Sequence, residues 1–194
     1  MIKIRISIQN FKDINRFMRR LPFYRSFLGR FMFFEVRDSY LPITTIVHAL
    51  NIKNGKQRVT YLYDTLCMLV DKFYQDKNYC QFCHNQCFIQ QKIERFENGC
   101  CRRCIHLIDH RCSTQNLTCK IFQCQSIKDR YPVVSWNDFS LFACFSLRQK
   151  IILKAEYFAT REEVIWDLKI GSLFVSSVFI LYRFLFQTMK KKKL

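Results

Sequence analysis

The chain has 194 residues, with 32 Lys and Arg against 15 Asp and Glu, a formal net charge of +17 at pH 7. That length suits one domain with appendages. A 49% hydrophobic content with 16% aromatics excludes a disordered chain, and four glycines and three prolines exclude collagen-like or linker-like material.

The predicted elements start with Ile2, Ile4, Ile6 and Ile8, which alternate with Lys3, Arg5, Ser7 and Gln9. A period of two predicts a short half-buried strand. The first twenty residues are basic but carry no apolar run and no small-residue cleavage site, so no secretory signal is expected. A reducing cytoplasm is the compartment that follows, and stable disulfides are rare there. From 11 to 37, seven phenylalanines mix with Arg16, Arg19, Arg20, Arg25 and Arg30; Pro22 and Pro42 predict short helices here. This Phe/Arg mixture reads either as core plus a solvated face, or as a surface for RNA or an anionic membrane. Asn54-Gly55 marks a turn and a boundary.

From 58 to about 77, Val59, Leu62, Tyr63, Leu66, Leu69, Val70 and Phe73 recur at spacings of three and four. That is an amphipathic helix, with Cys67 on or beside its apolar stripe. The cysteine segment follows, from 80 to 124. Short helices are expected within it at Phe88–Glu97 and Leu117–Gln125. Residues 126–140, with Pro132 and Trp136, read as irregular. Leu141–Phe158 reads as a helix with Leu141, Phe145, Ile151, Ile152 and Ala155 roughly inward. Thr160-Arg161-Glu162-Glu163 is a capping box that should open a final helix toward the lysine tail, Lys190 to Lys193.

Nine of the eleven cysteines fall in the middle segment: Cys80, Cys83, Cys87, Cys100, Cys101, Cys104, Cys112, Cys119 and Cys124. His84, His106 and His110 lie among them. Cys80-x2-Cys83 and Cys101-x2-Cys104 are separated by seventeen residues, which fits the C-x2-C-x15–20-C-x2-C template for tetrahedral zinc. Two intervening residues let a tight turn aim both sulfurs at a point about 2.3 Å from each. The other five cysteines suffice for a second four-coordinate site, or for three ligands plus one histidine. One or two Zn2+ ions are therefore expected, with the pairing open; Cys87 with Cys101 and Cys104 fits equally well. Iron–sulfur clusters use the same thiolates, but neither the bacterial nor the plant-type ferredoxin spacing occurs. A disulfide framework and reduced structural thiols are the rival readings. Cys67 and Cys144 lie in apolar helical patterns and read as small buried hydrophobes.

The string Asn98-Gly99-Cys100-Cys101-Arg102-Arg103-Cys104-Ile105-His106-Leu107, followed by Arg111-Cys112, Leu117-Thr118-Cys119-Lys120 and Cys124, resembles bacterial cysteine-rich proteins described as zinc- or iron-chelating. The resemblance covers about residues 60–165. It implies a metal-binding role and no reaction. The upstream trio Cys80, Cys83 and Cys87 holds one cysteine more than that pattern has.

Arg102, Arg103, Arg111 and Lys120 sit among the cysteines. They offset thiolate charge, about −2 at a four-thiolate zinc site, or they bind a nucleic-acid backbone. Residues 170–189, IGSLFVSSVFILYRFLFQTM, are just long enough at about 1.5 Å per residue to span a ~30 Å hydrocarbon core. They read either as an apolar helix docked on the core, or as a membrane-surface element or tail anchor with Arg183 snorkelling. The few acids of the cysteine segment, Glu94, Glu97 and Asp109, and the lack of a deaminase pattern argue against an enzyme. No P-loop, dinucleotide, G-x-S-x-G or H-E-x-x-H motif occurs either.

The expected protein is mainly α, a small helical domain with an irregular cysteine-rich metal-binding centre and a short N-terminal strand. Its segments are 1–57, basic and aromatic; 58–165, cysteine-rich and helical; and 166–194, an apolar helix with a lysine tail. The expected function is metal-dependent binding or scaffolding toward an unknown protein partner. The alternatives are an iron–sulfur redox or electron-transfer protein and a zinc-dependent nucleic-acid binder.

Overall fold

The computed structural model describes residues 2–26, 28–37, 41–75, 77, 79, 82–83, 86–87, 107–108, 111–112, 116–123, 125–157, 159–170 and 173–192. They are mainly helical, with a short pair of strands at the N-terminus. The chain divides into two units. One is Met1–Leu66 with Asn137–Leu147, and the other is Cys67–Trp136 with Arg148–Leu194.

In the first unit the expected strand forms as β1 (Ile2–Ile6). Its inward alternation holds at Ile6, which is buried, while Ile2 lies exposed at the open end. Asn10 caps α1 (Phe11–Tyr24), its side chain accepting from the Asp13 N–H at 3.1 Å. Pro22 does not end this helix. It sits in the last turn, where a missing N–H forfeits only one backbone bond. The chain then passes through a 3-10 turn, Leu28–Phe31, into β2 (Met32–Val36). β2 corrects the expectation of helices throughout 11–37. It pairs parallel with β1, Ile2 opposite Met32 through Ile6 opposite Val36. Parallel strands need a long crossover, and α1 is that crossover.

Only two strands build this sheet, so the outer edge of β2 needs partners. Asn51, the last residue of α2 (Leu41–Asn51), supplies them at Phe34. The Phe34 N–H donates to Asn51 Oδ1 at 2.9 Å, and Asn51 Nδ2 donates to the Phe34 carbonyl at 2.8 Å. Lys53 Nζ donates to the Met32 carbonyl. A single amide thus stands in for a neighbouring strand. Asn51→Ala leaves both Phe34 groups without it and should cost about 1–3 kcal/mol. Asn51→Asp, which accepts but cannot donate, should fall between; urea unfolding midpoints of the three proteins check the order.

α3 (Gly55–Tyr74) is the amphipathic helix predicted at 58–77. Asn54 starts it by accepting from the Lys56 and Gln57 N–H groups at 2.9 and 3.2 Å, so the Asn-Gly pair is a helix cap. Val59, Leu62, Tyr63, Leu66, Cys67 and Val70 are its buried stripe. Within the first unit, Arg25 Nη1 holds the 137–147 segment by donating to the carbonyls of Ala143, at 3.0 Å, and Phe145.

The helix expected over 117–125 is two pieces, α4 (Leu117–Ile121) and α5 (Gln125–Lys128), because Phe122 turns extended. The helix expected over 141–158 is a 3-10 segment, Ser140–Cys144, followed by α6 (Leu147–Ala155). That break resets the helical phase. Leu141, Phe145 and Ile152 are buried as expected, but Ile151 and Ala155 are exposed, and Leu153 and Glu156 take the inward positions. The capping box is present: the Thr160 N–H donates to Glu163 Oε2 at 2.7 Å, and Thr160 Oγ1 accepts from the Glu163 N–H at 3.3 Å. The helix it opens, α7 (Arg161–Lys169), stops where Ile170 becomes extended, and a separate helix, α8 (Leu173–Lys192), carries the chain to its lysines.

Candidate metal centre

The cysteine segment enters and leaves through fixed ends in the second unit. Upstream, the Tyr74 hydroxyl accepts from the Val134 N–H at 3.3 Å, and the Tyr79 ring stacks on Tyr131 with centroids 4.8 Å apart. Downstream, Asn116 is fully buried. Its Oδ1 caps α4 at the Cys119 N–H, 2.9 Å away, and its Nδ2 donates to the carbonyls of Glu156 and Ala159 at 3.0 and 2.9 Å. Thr118 Oγ1 donates to the Leu153 carbonyl. Lys120 Nζ lies 2.5 Å from the Asp71 carboxylate, joining α4 to α3 across 49 positions of sequence. The helical core therefore holds the flanks of the cysteine segment. Closure entropy grows only slowly with length, so so long a loop is tolerable once its ends are held.

Among the described residues of the segment, the backbone makes two short antiparallel strand pairs. In the first, β3 (Phe82–Cys83) pairs with β4 (Gln86–Cys87), Phe82 opposite Cys87 and Cys83 opposite Gln86. In the second, β5 (Leu107–Ile108) pairs with β6 (Arg111–Cys112), Leu107 opposite Cys112 and Ile108 opposite Arg111. Cys83 and Cys87 thus occupy successive rungs of one ladder, and Cys112 closes the other. Cys119 lies in α4. Burial pushes the Tyr157 hydroxyl above its usual range, and the Cys119 thiol beside it adds to the shift. Cys80, Cys100, Cys101, Cys104 and Cys124, with His84, His106 and His110, lie outside the described residues, as does the helix expected at Phe88–Glu97. Among the described residues, no group of three or more His, Cys, Asp or Glu side chains gathers where a metal ion could be held. Cys67 and Cys144 are buried thiols, in keeping with their reading as small hydrophobes.

Sequence reasoning missed a buried charge cluster in the second unit. Glu156, just past α6, and Asp167, on α7, are fully buried, and both take the Arg183 guanidinium of α8 as partner. Glu163 stands 3.9 Å from the same guanidinium. Burial pushes the Glu156 carboxyl up to about 8, against the opposing pull of Arg183. Burial likewise raises Asp167. Burial works against the Arg183 charge, but the Glu156 and Asp167 carboxylates outweigh it and raise Arg183. The signal was one arginine inside an apolar run. Its guanidinium pairs with the buried Glu156 and Asp167 carboxyls.

In the first unit, Arg25 and Arg58 are both held below the usual guanidinium range by burial, and Arg58 also by the neighbouring charges of Arg30 and Arg25. Their hydrogen bonds go to backbone carbonyls, Arg58 Nε to Ile52 at 2.9 Å. Among the described residues, no helix is long and apolar enough to cross a membrane. Comparison with protein families, curated proteins and solved structures gives no match for the chain.

Proposed function

We propose that the chain is a cysteine-rich metal-binding protein whose central segment is ordered by one or two structural Zn2+ ions and serves as a binding or scaffolding module. The observation that carries this reading is the coincidence of cysteines with hairpins. Cys83 of Cys80-x2-Cys83 is the last residue of β3, and β4 ends on Cys87; Cys101-x2-Cys104 stands just ahead of β5 in the sequence, and β6 ends on Cys112. A hairpin of two rungs is marginal in water. Ligation by flanking thiolates is a sufficient cross-link, with apparent energies of about 10–16 kcal/mol in small zinc peptides.

The donor set fits the metal. Thiolates and imidazoles are the ligands that select zinc over hard cations. Cys80, Cys83, Cys101 and Cys104 are the first ligand set by spacing. Cys87, Cys100, Cys112, Cys119 and Cys124, with His84, His106 and His110, are the pool for a second. Bound zinc would fix the turns and neutralise thiolate charge; the chain's own residues anchor the segment at Tyr79 and Asn116. A site closed by four protein ligands is structural, which accords with a binding role and not with catalysis.

Elemental analysis and an absorption spectrum of anaerobically purified protein test this. The expected result is a colourless protein with about one or two zinc ions per chain. Brown protein with iron and acid-labile sulfide would establish the iron–sulfur reading in its place. Absence of any metal from the purified protein would end both.

A further inference from the structure

Among its described side chains, α8 turns a broad apolar arc outward. Along a surface helix the apolar stripe normally turns toward the core and the polar stripe outward. Among the described side chains of α8, the inward stripe is Ser176, Ile180 and Arg183. Ser176 is buried and its Oγ donates to the Asp167 carbonyl at 3.4 Å. Arg183 reaches Glu156 and Asp167. Outward stand Phe174, Val178, Leu181 and Leu185, with Val175, Phe179 and Tyr182 beside them, each between 37% and 78% exposed. At 100° per residue these seven cover an arc of about 160° on the side away from the inward stripe.

We propose that α8 lies along the surface of an anionic bilayer, its outward arc immersed at the boundary of headgroups and acyl chains. Three observations select lipid over a protein groove. The exposed arc is broad, and a fluid interface fits such an arc at every angle. The helix runs directly into Lys190–Lys193, on a chain of net charge +17, complementary to acidic headgroups. Trp166, half-exposed on α7, meets the Phe179 ring edge-on at 5.4 Å, and with Tyr182 it gives the arc the amphipathic aromatics favoured at membrane interfaces. Among the described residues no helix is long and apolar enough to cross a membrane, so the helix is placed on the surface and not across it. The charge of Arg183 is no obstacle, since it is engaged on the opposite side. This proposal is independent of the metal reading.

Vesicle binding by the full chain tests it. Trp136→Phe leaves Trp166 as the sole tryptophan. Its emission should shift to the blue, and the protein should co-sediment, with vesicles of three parts phosphatidylcholine to one part phosphatidylglycerol. Val178→Ser with Leu181→Ser changes only exposed positions. It should lower partitioning at least about tenfold while the far-UV dichroism and unfolding midpoint stay unchanged. Replacing Lys190–Lys193 with glutamine should reduce binding to the level seen with pure phosphatidylcholine. The proposal is overturned if the protein ignores both vesicles, if it binds both equally, or if the serine pair binds as the parent does. It is equally overturned if the serine pair dissolves a protein oligomer that has no affinity for vesicles.

Discussion

Arg183→Leu is expected to lower the unfolding free energy by about 3–5 kcal/mol, because it leaves the buried Asp167 carboxyl without its cation and the buried Glu156 carboxyl without its hydrogen-bond donor. The effect belongs to the stranded partners and not to the pair itself. Replacing all three members together, Arg183→Met with Glu156→Gln and Asp167→Asn, should therefore recover much of the loss. Denaturant titrations of the single and triple variants measure this. The same cluster sets a pH dependence. The folded protein holds a proton on Glu156 up to about pH 8 because burial disfavours its charge, whereas the unfolded chain releases it near 4.3. Between those limits the folded state binds more protons, so stability is greatest at the acid end and declines as pH rises toward 8. Thermal midpoints from pH 5 to 8.5 should fall, and Glu156→Gln should flatten that part of the profile. A midpoint that rises through the window would show that Glu156 is ionised in the fold.

Zinc withdrawal should have the larger local effect. On the zinc proposal, ligation worth about 10–16 kcal/mol holds the segment, and little else keeps it folded once a strong chelator takes the ion. The peptide between Tyr79 and Asn116 should then become susceptible to protease, while the helices that bury Ile127, Ile152 and Leu168 stay protected. Hydrogen exchange with mass detection, before and after chelation, resolves the two regions. Cys101→Ser with Cys104→Ser should remove about one zinc per chain and reproduce the cleavage pattern without chelator. Cys67→Ala and Cys144→Ala, at buried positions outside the 80–124 stretch of sequence, should keep the full metal content and cost only about 1 kcal/mol each for the lost packing. Protease resistance that survives complete metal removal would show that the segment folds without it.

Periodicity made the helices legible wherever the pattern ran unbroken. α3 is read directly from Val59, Leu62, Tyr63, Leu66 and Val70, and α7 from the Thr160–Glu163 box, because local spacing and capping are sufficient causes there. β2 was hidden. Phe33 and Phe34 are adjacent apolar residues with no alternation, and their strand character comes from a partner thirty positions away. The inward face of α6 was misjudged because Phe145 leaves the helical path, and one non-helical residue rotates every later position. At the candidate centre the sequence displays the donors but not their company. Cysteine spacing proposes which sulfurs meet, whereas the anchors Asn116 and Tyr79 and the buried Glu156 carry no motif. Long-range partners alone reveal them.

Gly29 and Gly55 divide the chain's future substitutions unequally. A methyl group at Gly29 would sit 1.8 Å from the Tyr24 carbonyl oxygen, whereas one at Gly55 would meet nothing within 4 Å. The passage out of α1 that brings β2 level with β1 therefore depends on one missing carbon. Drift at that codon is closed, and the descendants of this chain are free to vary at the start of α3, where alanine would even tighten the unfolded ensemble.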